Sequence, residues 1–220
     1  MDSRGVYDSA GQQIRMKLGA GIYDITGPAA EVGMFGYAKA GQEASGIHMR
    51  LRSRAFVFQD LERIFTFVSV DVGAISEIVR QTVVRRLQDE QDIPKDTFQL
   101  ENVMLSATHT HCAPGGLFHF FLYSMHPPLK GFDRQNFNCV VNGIVASIVR
   151  AYRNLQPGCI RIAKGSCLGA SINRSSEAYY ANPLEEREKY KYDTDKDMTL
   201  WRLDGDNGYP IGMINWYVAH

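Results

Sequence analysis

A C-x-x-C pair is missing from this chain, whose cysteines are Cys112, Cys139, Cys159 and Cys167, and without one a structural zinc knuckle is excluded. Cys159 and Cys167 are spaced to face each other across a hairpin, but plain buried thiols are the reading preferred for all of them. Net charge is lacking too: 24 Lys and Arg balance 24 Asp and Glu. That balance leaves no electrostatic footprint for nucleic acid or an anionic bilayer. No apolar run reaches the ~18 residues of a membrane-spanning helix. The opening MDSRGVYDSAGQQIRMK has no apolar segment, so it does not read as a secretory signal. Residues 1–17 are expected to form a loose polar arm. Repeats and low-complexity tracts are also missing. The chain does have an ordinary apolar share, 45%, with 11 Phe and 11 Tyr, enough to build a core and to line an apolar pocket.

The patterning predicts a mixed fold. Leu18 opens a strand, GAGIYDI, that runs into the turn Thr26-Gly27-Pro28. The glycine-rich stretch 33–46 reads as a loop. From His48 to Phe58, apolar and charged residues alternate as in a half-buried strand. Ile64 to Val70 is a nearly unbroken apolar run, the mark of a strand buried on both faces. Helical spacing of Ile75, Ile78, Val79, Thr82, Val83 and Leu87 predicts a helix over 74–90. Asn102 to Ala107 is a further strand. Asp133 is a helix cap, followed by a stripe of Phe137, Val140, Val141, Ile144, Val145, Ile148 and Tyr152 that stops at Pro157-Gly158. Strands are expected at 159–166, 197–203 and 211–219, and the charge-dense stretch 185–197 as a solvated surface. The fold class is α/β, or mixed α+β.

The chemistry concentrates in Ser106-Ala107-Thr108-His109-Thr110-His111-Cys112-Ala113-Pro114-Gly115-Gly116. It follows a buried strand, where a sheet edge delivers side chains rigidly. In extended backbone, H-x-H puts both imidazoles on one side, and neutral imidazole is a good zinc ligand. The same pair also reads as histidines bonded to backbone carbonyls. His220 ends the strand GMINWYVA much as His109 follows NVMLSA, so the histidines can meet at one sheet edge. Asp71 ends FTFVSVD and is read first as a cap for the helix beginning near Ala74, otherwise as a ligand or a ligand's partner. Arg174, within Asn173-Arg174-Ser175, offers a fork for a carboxylate or polar head group. His119 and His126 lie in the aromatic loop LFHFFLYSMHPP and are read as loop residues. That loop, with Phe118, Phe120, Phe121, Leu122 and Tyr123, suits a lipid channel, a membrane surface or core packing.

Several blocks in order resemble the neutral ceramidase family: G-x-G-I-Y-D-I-T-G-P, G-M-F-G-Y-A, R-L-R-S-R-A-F, V-S-V-D, A-T-H-T-H-x-x-P-G-G, I-N-R-S, and the strand ending in His220. The likeness runs from about residue 18 to the last. It implies a zinc amidase that cleaves ceramide to sphingosine and a fatty acid, with His109 and His220 as zinc ligands. It further implies that His111 sits beside the metal near the scissile carbonyl, that Arg174 helps hold substrate or product, and that Gly36 lies against the head group. Zn2+ is the implied cofactor, and the family is secreted or acts at a membrane surface, which it touches peripherally. Residues 18–220 correspond to the N-terminal part of the family's catalytic domain. A Glu ligand, a Tyr ligand, an essential serine and an immunoglobulin-like domain lie further on in the family, so this polypeptide alone is expected to be inactive. Cys112-Ala113 stands where the family has Ser-Gly, and Ser176 where it has Pro. Two other functions stay open: a truncated lipid-binding or regulatory product, and a zinc hydrolase of another amide.

Overall fold

The computed structural model describes residues 3–5, 15–37, 39, 41–61, 63–125 and 131–218. The elements begin with β1 (Ser3–Gly5), β2 (Arg15–Asp24), β3 (Ala30–Gly33), β4 (Glu43–Ser45), β5 (Arg52–Asp60) and β6 (Arg63–Val70). Then come α1 (Glu77–Gln88), β7 (Val103–Ala107), α2 (Phe121–Met125), α3 (Arg134–Arg153) and β8 (Gln156–Ser166). The chain continues through α4 (Ser176–Tyr180), α5 (Leu184–Arg187), β9 (Asp197–Gly205) and β10 (Pro210–Tyr217). The class is mixed α/β, as expected. It divides into two compact units, Met16–Gln156 and Met1–Arg15 with Pro157–His220.

In the unit Met16–Gln156, β5 lies antiparallel between β2 and β6, and β7 runs parallel to β6. Parallel neighbours need a crossover, and α1 supplies it. The alternation in β5 sends Ser53, Ala55 and Val57 into the interior, as a period of two requires. Helix α3 carries the predicted stripe, with Phe137, Val140, Val141, Ile144, Val145 and Ile148 all buried. It packs against β5 and α1 around one cluster that also holds Val68, Val70, Val79, Val83 and Leu87. Close approach is enforced at Gly21, where an added Cβ would fall 2.2 Å from the Ser147 carbonyl oxygen. Glycine is the only residue that lets helix and strand touch there. Nearby, the buried Ser53 and Ser147 hydroxyls satisfy each other at 2.8 Å, as buried hydroxyls must.

The cap at Asp133 is as predicted, its Oδ1 accepting the Asn136 N–H at 2.7 Å. Elsewhere the structure shifts the expectations. The loop expected over 33–46 includes a short strand, β4, which pairs with β3 just before it. Helix α1 starts at Glu77 after the N-cap Ser76, so Asp71 does not cap it. The strand expected from His48 begins at Arg52; just before it the Leu51 N–H donates to the Thr26 hydroxyl, 25 residues away, at 2.9 Å.

The other unit is an antiparallel meander in which β8 pairs with β9 and β9 with β10, broken by a bulge between Pro210 and Gly212. The arm expected to be loose supplies a strand at Ser3–Gly5, paired with Arg161–Ala163 of β8. Asp204, 4% exposed, is held between Arg202 at 2.8 Å and Arg161 at 3.4 Å. All the cysteines are free thiols; Cys112 is exposed and the others half-buried.

Candidate functional site

The parallel pairing of β6 and β7 brings two exits side by side. Val70 is in register with Ala107, and the Thr108 N–H donates to the Val70 carbonyl at 2.9 Å. Residues 71–73 leave β6 in a bend, while His109 leaves β7 with a left-handed backbone, φ 61°. That turn carries the imidazole back over the bend, where Nδ1 lies 2.7 Å from the Gly73 carbonyl oxygen. A carbonyl only accepts, so Nδ1 is the protonated nitrogen, and in the neutral ring Nε2 carries the lone pair. His111 follows on the same side, its Nε2 3.3 Å from His109 Nε2 and the rings nearly perpendicular at 81°.

The segment beneath the histidines is tied from several directions. Gly115 N–H donates to the Gly33 carbonyl at 2.7 Å. Buried Asn136 donates from Nδ2 to the Pro114 and Gly115 carbonyls at 3.1 and 2.7 Å. Ser76, at the start of α1, donates its hydroxyl proton to the Leu117 carbonyl at 2.6 Å. The sequence HCAPGG thus rests on the starts of both long helices, which share one buried core.

Residues 35–37 cover the histidines. Gly36 has φ 95°, and a Cβ there would lie 2.5 Å from His111 Cε1, so its bare Cα seats the ring. Tyr37 meets His111 edge-on at 6.0 Å. Cys112, by its electrostatic influence and by a hydrogen bond to the hydroxyl, pushes the Tyr37 phenol above its ordinary value. Phe35 lies edge-on to His109 at 6.4 Å. It also stacks on Phe118 at 5.7 Å, which in turn stacks on Tyr123 at 4.6 Å.

Asp71 does not cap α1, whose N-cap is Ser76. The aspartate's Oδ2 accepts the Arg52 N–H at 2.9 Å and its Oδ1 accepts from Arg54 Nη1 at 2.8 Å, so it anchors the bend after β6 to β5. Arg174 is exposed in the other unit, on a segment held by Asn173, whose Nδ2 donates to the Asp193 carbonyl at 3.1 Å. The structure brings His109, His111 and Gly36 together. His220 and His126 lie outside the described residues. Tyr217, at the end of β10, donates its hydroxyl to the Cys167 carbonyl at 3.0 Å. Phe35, Tyr37 and Gly73 were not singled out by sequence; the G-M-F-G-Y block carried a signal for the first two, and Gly73 had none.

The His109 ring suits a metal: a carbonyl bonded to the far ring nitrogen is the usual brace of a metal-bound histidine, and Nε2, bare in that tautomer, is the nitrogen that would ligate. Among the described residues no group of three or more His, Cys, Asp or Glu is placed to hold an ion. A cavity of about 390 Å³ is lined by Thr110, Cys112 and Pro114 from this segment, and by Met34, Ile47 and Leu51.

The family described as neutral/alkaline non-lysosomal ceramidase, N-terminal, matches residues 16–220. Neutral ceramidase 3 of Arabidopsis thaliana is 45% identical over 203 residues, 91% of this chain and 27% of that protein. Neutral ceramidase of Oryza sativa subsp. japonica is 45% identical over 204 residues, covering 92% and 25%. The solved structure of neutral ceramidase from Pseudomonas aeruginosa superposes with a TM-score of 0.82 at 39% identity, covering 93% of this chain and 32% of that one. A ceramidase complexed with C2 gives 0.83 at 39% identity, covering 93% and 31%. The chain therefore spans between a quarter and a third of the length of these relatives.

Proposed function

The chain belongs to the neutral/alkaline non-lysosomal ceramidase family, and from that premise we propose that it supplies the H-x-H portion of a zinc amidase site that cleaves ceramide to sphingosine and a fatty acid. The observation that carries this reading is the His109 tautomer: Nδ1 is bonded to the Gly73 carbonyl at 2.7 Å and Nε2 faces His111 at 3.3 Å. His109 holds the metal through Nε2, and His220 is the second ligand. When bound, zinc lowers the pKa of a water molecule and polarises the amide carbonyl. His111, seated on Gly36, holds a proton at Nε2 and is placed to give it to a developing oxyanion or to the leaving amine. The backbone at Gly36 lies against the substrate head group, and Arg174 holds substrate or product by its guanidinium fork.

A catalytic zinc takes about three protein ligands plus water, so the 220-residue polypeptide by itself is expected to give no turnover. The test is a chimera in which residues 16–220 replace the matching part of the Arabidopsis thaliana neutral ceramidase 3. Chelator-sensitive hydrolysis of a fluorescent ceramide is expected, and His109→Ala should lower it more than the ~100-fold typical of changes behind a ligand. Activity that survives both the chelator and His109→Ala would sink the proposal.

The partners are ceramide and sphingosine, with peripheral contact to a membrane surface at a secreted or surface-bound location. No helix among the described residues is long and apolar enough to cross a membrane. Phe118 and Tyr123 turn inward to stack, whereas Phe120, Phe121 and Leu122 are 53%, 79% and 77% exposed. Such a cluster beside a lipid-cleaving site suits shallow insertion. Phe121→Asp should cut binding to neutral phosphatidylcholine vesicles several-fold in a flotation assay; unchanged flotation would remove the membrane contact. The 390 Å³ cavity supports a second reading, lipid binding without chemistry, which stoichiometric ceramide capture and no hydrolysis by the chimera would favour.

A further inference from the structure

The glycine at position 73 has its own geometry. An added Cβ would fall 2.3 Å from Phe35 Cδ1 and 2.8 Å from Phe35 Cγ, so the phenyl ring lies flush on the Gly73 Cα. The carbonyl of the same residue accepts the His109 Nδ1 proton. Phe35 also meets the His109 ring edge-on, and thus touches both the donor ring and the residue that carries the acceptor. The ring is itself braced, stacked on Phe118 and at 6.3 Å from Tyr123. The bend bearing Gly73 is fixed from its other side. The Asp71 N–H donates to the Arg52 carbonyl at 3.0 Å and the Val72 N–H to the Val70 carbonyl at 2.8 Å. The Asp71 carboxylate is bonded to Arg52 and Arg54.

We propose that Gly73 and Phe35 are positioning residues that fix the His109 tautomer and ring orientation for metal capture, with Asp71 anchoring the bend that presents the carbonyl. The inference rests on the reading of His109 as a ligand and says what keeps that ligand ready. His109 has a left-handed backbone, φ 61°, which a non-glycine residue keeps only where its surroundings impose it. The hydrogen bond to Gly73 both rewards that backbone and selects which nitrogen is bare. A side chain at position 73 has nowhere to go except into Phe35. It must push the ring away or rotate the carbonyl, and either change releases the imidazole to flip or to exchange its proton to Nε2, where a protonated nitrogen cannot ligate.

The test uses the full chain, metal-free and isotopically labelled at histidine nitrogen, above the ordinary titration range of imidazole. Long-range proton–nitrogen correlation reads the tautomer, and competition against a chromophoric chelator reads zinc affinity in the chimera carrying residues 16–220. Wild type is expected to hold His109 as the Nδ1–H form. Gly73→Ala should mix the tautomers and weaken zinc by about 10–100-fold, with the far-ultraviolet circular dichroism retained. Phe35→Leu, which keeps the glycine but removes the ring, should do the same to a smaller extent. Adding Phe35→Ala to Gly73→Ala opens room for the new Cβ, so the second change should cost less than it does alone. The proposal is overturned if Gly73→Ala leaves both tautomer and affinity unchanged, and Phe35→Leu decides the matter if Gly73→Ala does not fold. A chimera carrying wild-type residues 16–220 that binds no zinc defeats the ligand reading, while the tautomer result still decides the positioning role.

Discussion

Under the sheet of residues 16–156, Val68, Val70, Val79, Val83, Val141, Ile144 and Ile148 are all sealed from water. Along the other unit, Leu168, Ile172, Met213 and Tyr209 are 64%, 83%, 63% and 74% exposed, and the buried apolar residues there are Ile160, Ala163, Leu203 and Ile214. Both regions are built from strands of similar length, so the difference lies in the helices: α1 and α3 cover one sheet face, while α4 and α5 bury none of their residues. The difference bears on the site. His109, His111, Gly36 and Gly73 all hang from the region with a core, so their geometry is set to within ångströms by packing. Arg174 and the strand leading to His220 belong to the region with little core.

Breaking the comparison at its strongest point gives the largest effect. Ile144→Ala, at the centre of the sealed cluster, should cost about 2–5 kcal/mol in urea unfolding. Met213→Ala should stay within about 0.5 kcal/mol. Equal losses would erase the distinction. Asp133→Ala removes the cap bond to Asn136, and through it the footing of HCAPGG; about 1 kcal/mol is expected. A smaller effect is acid sensitivity at Asp24. Burial pushes its carboxyl up, but the Thr26 N–H and hydroxyl, with Arg50 and Arg52, outweigh that and hold it below its usual value of 3.8. A lowered carboxyl stabilises the fold above its unfolded value, and the benefit fades as pH falls through the native one. Asp24→Asn should therefore flatten the loss of stability below about pH 4, as followed by melting temperature. A curve unchanged from wild type would contradict it.

Much of this was legible in the sequence, and the failures have physical causes. The stripe of α3, its Asp133 cap and the apolar run of β6 were readable because burial imposes period and caps impose chemistry locally. The H-x-H pair was readable as two imidazoles just past a buried strand, but the left-handed turn at His109, φ 61°, and not extended alternation, brings the rings together. What hid from sequence was decided by neighbours far along the chain. Asp71 looked like a helix cap because it stands just before α1, yet Arg52 and Arg54 on the adjacent strand claim both its oxygens. Gly73 carried no signal in the sequence, and Phe35, distant along the chain, shows why it bears no side chain. The short strand Glu43–Ser45 was hidden by the glycines around it, which mark turns and equally permit strands between them.

The central claim is that His109 is held ready as a metal ligand by the cored region. Zinc retained after equilibrium dialysis by the chimera carrying residues 16–220 tests it most directly, with wild type, His109→Ala and Arg174→Ala compared. The account predicts zinc in the wild type and in Arg174→Ala, and an affinity lower by more than ~100-fold in His109→Ala. Equal retention by His109→Ala and wild type would contradict it.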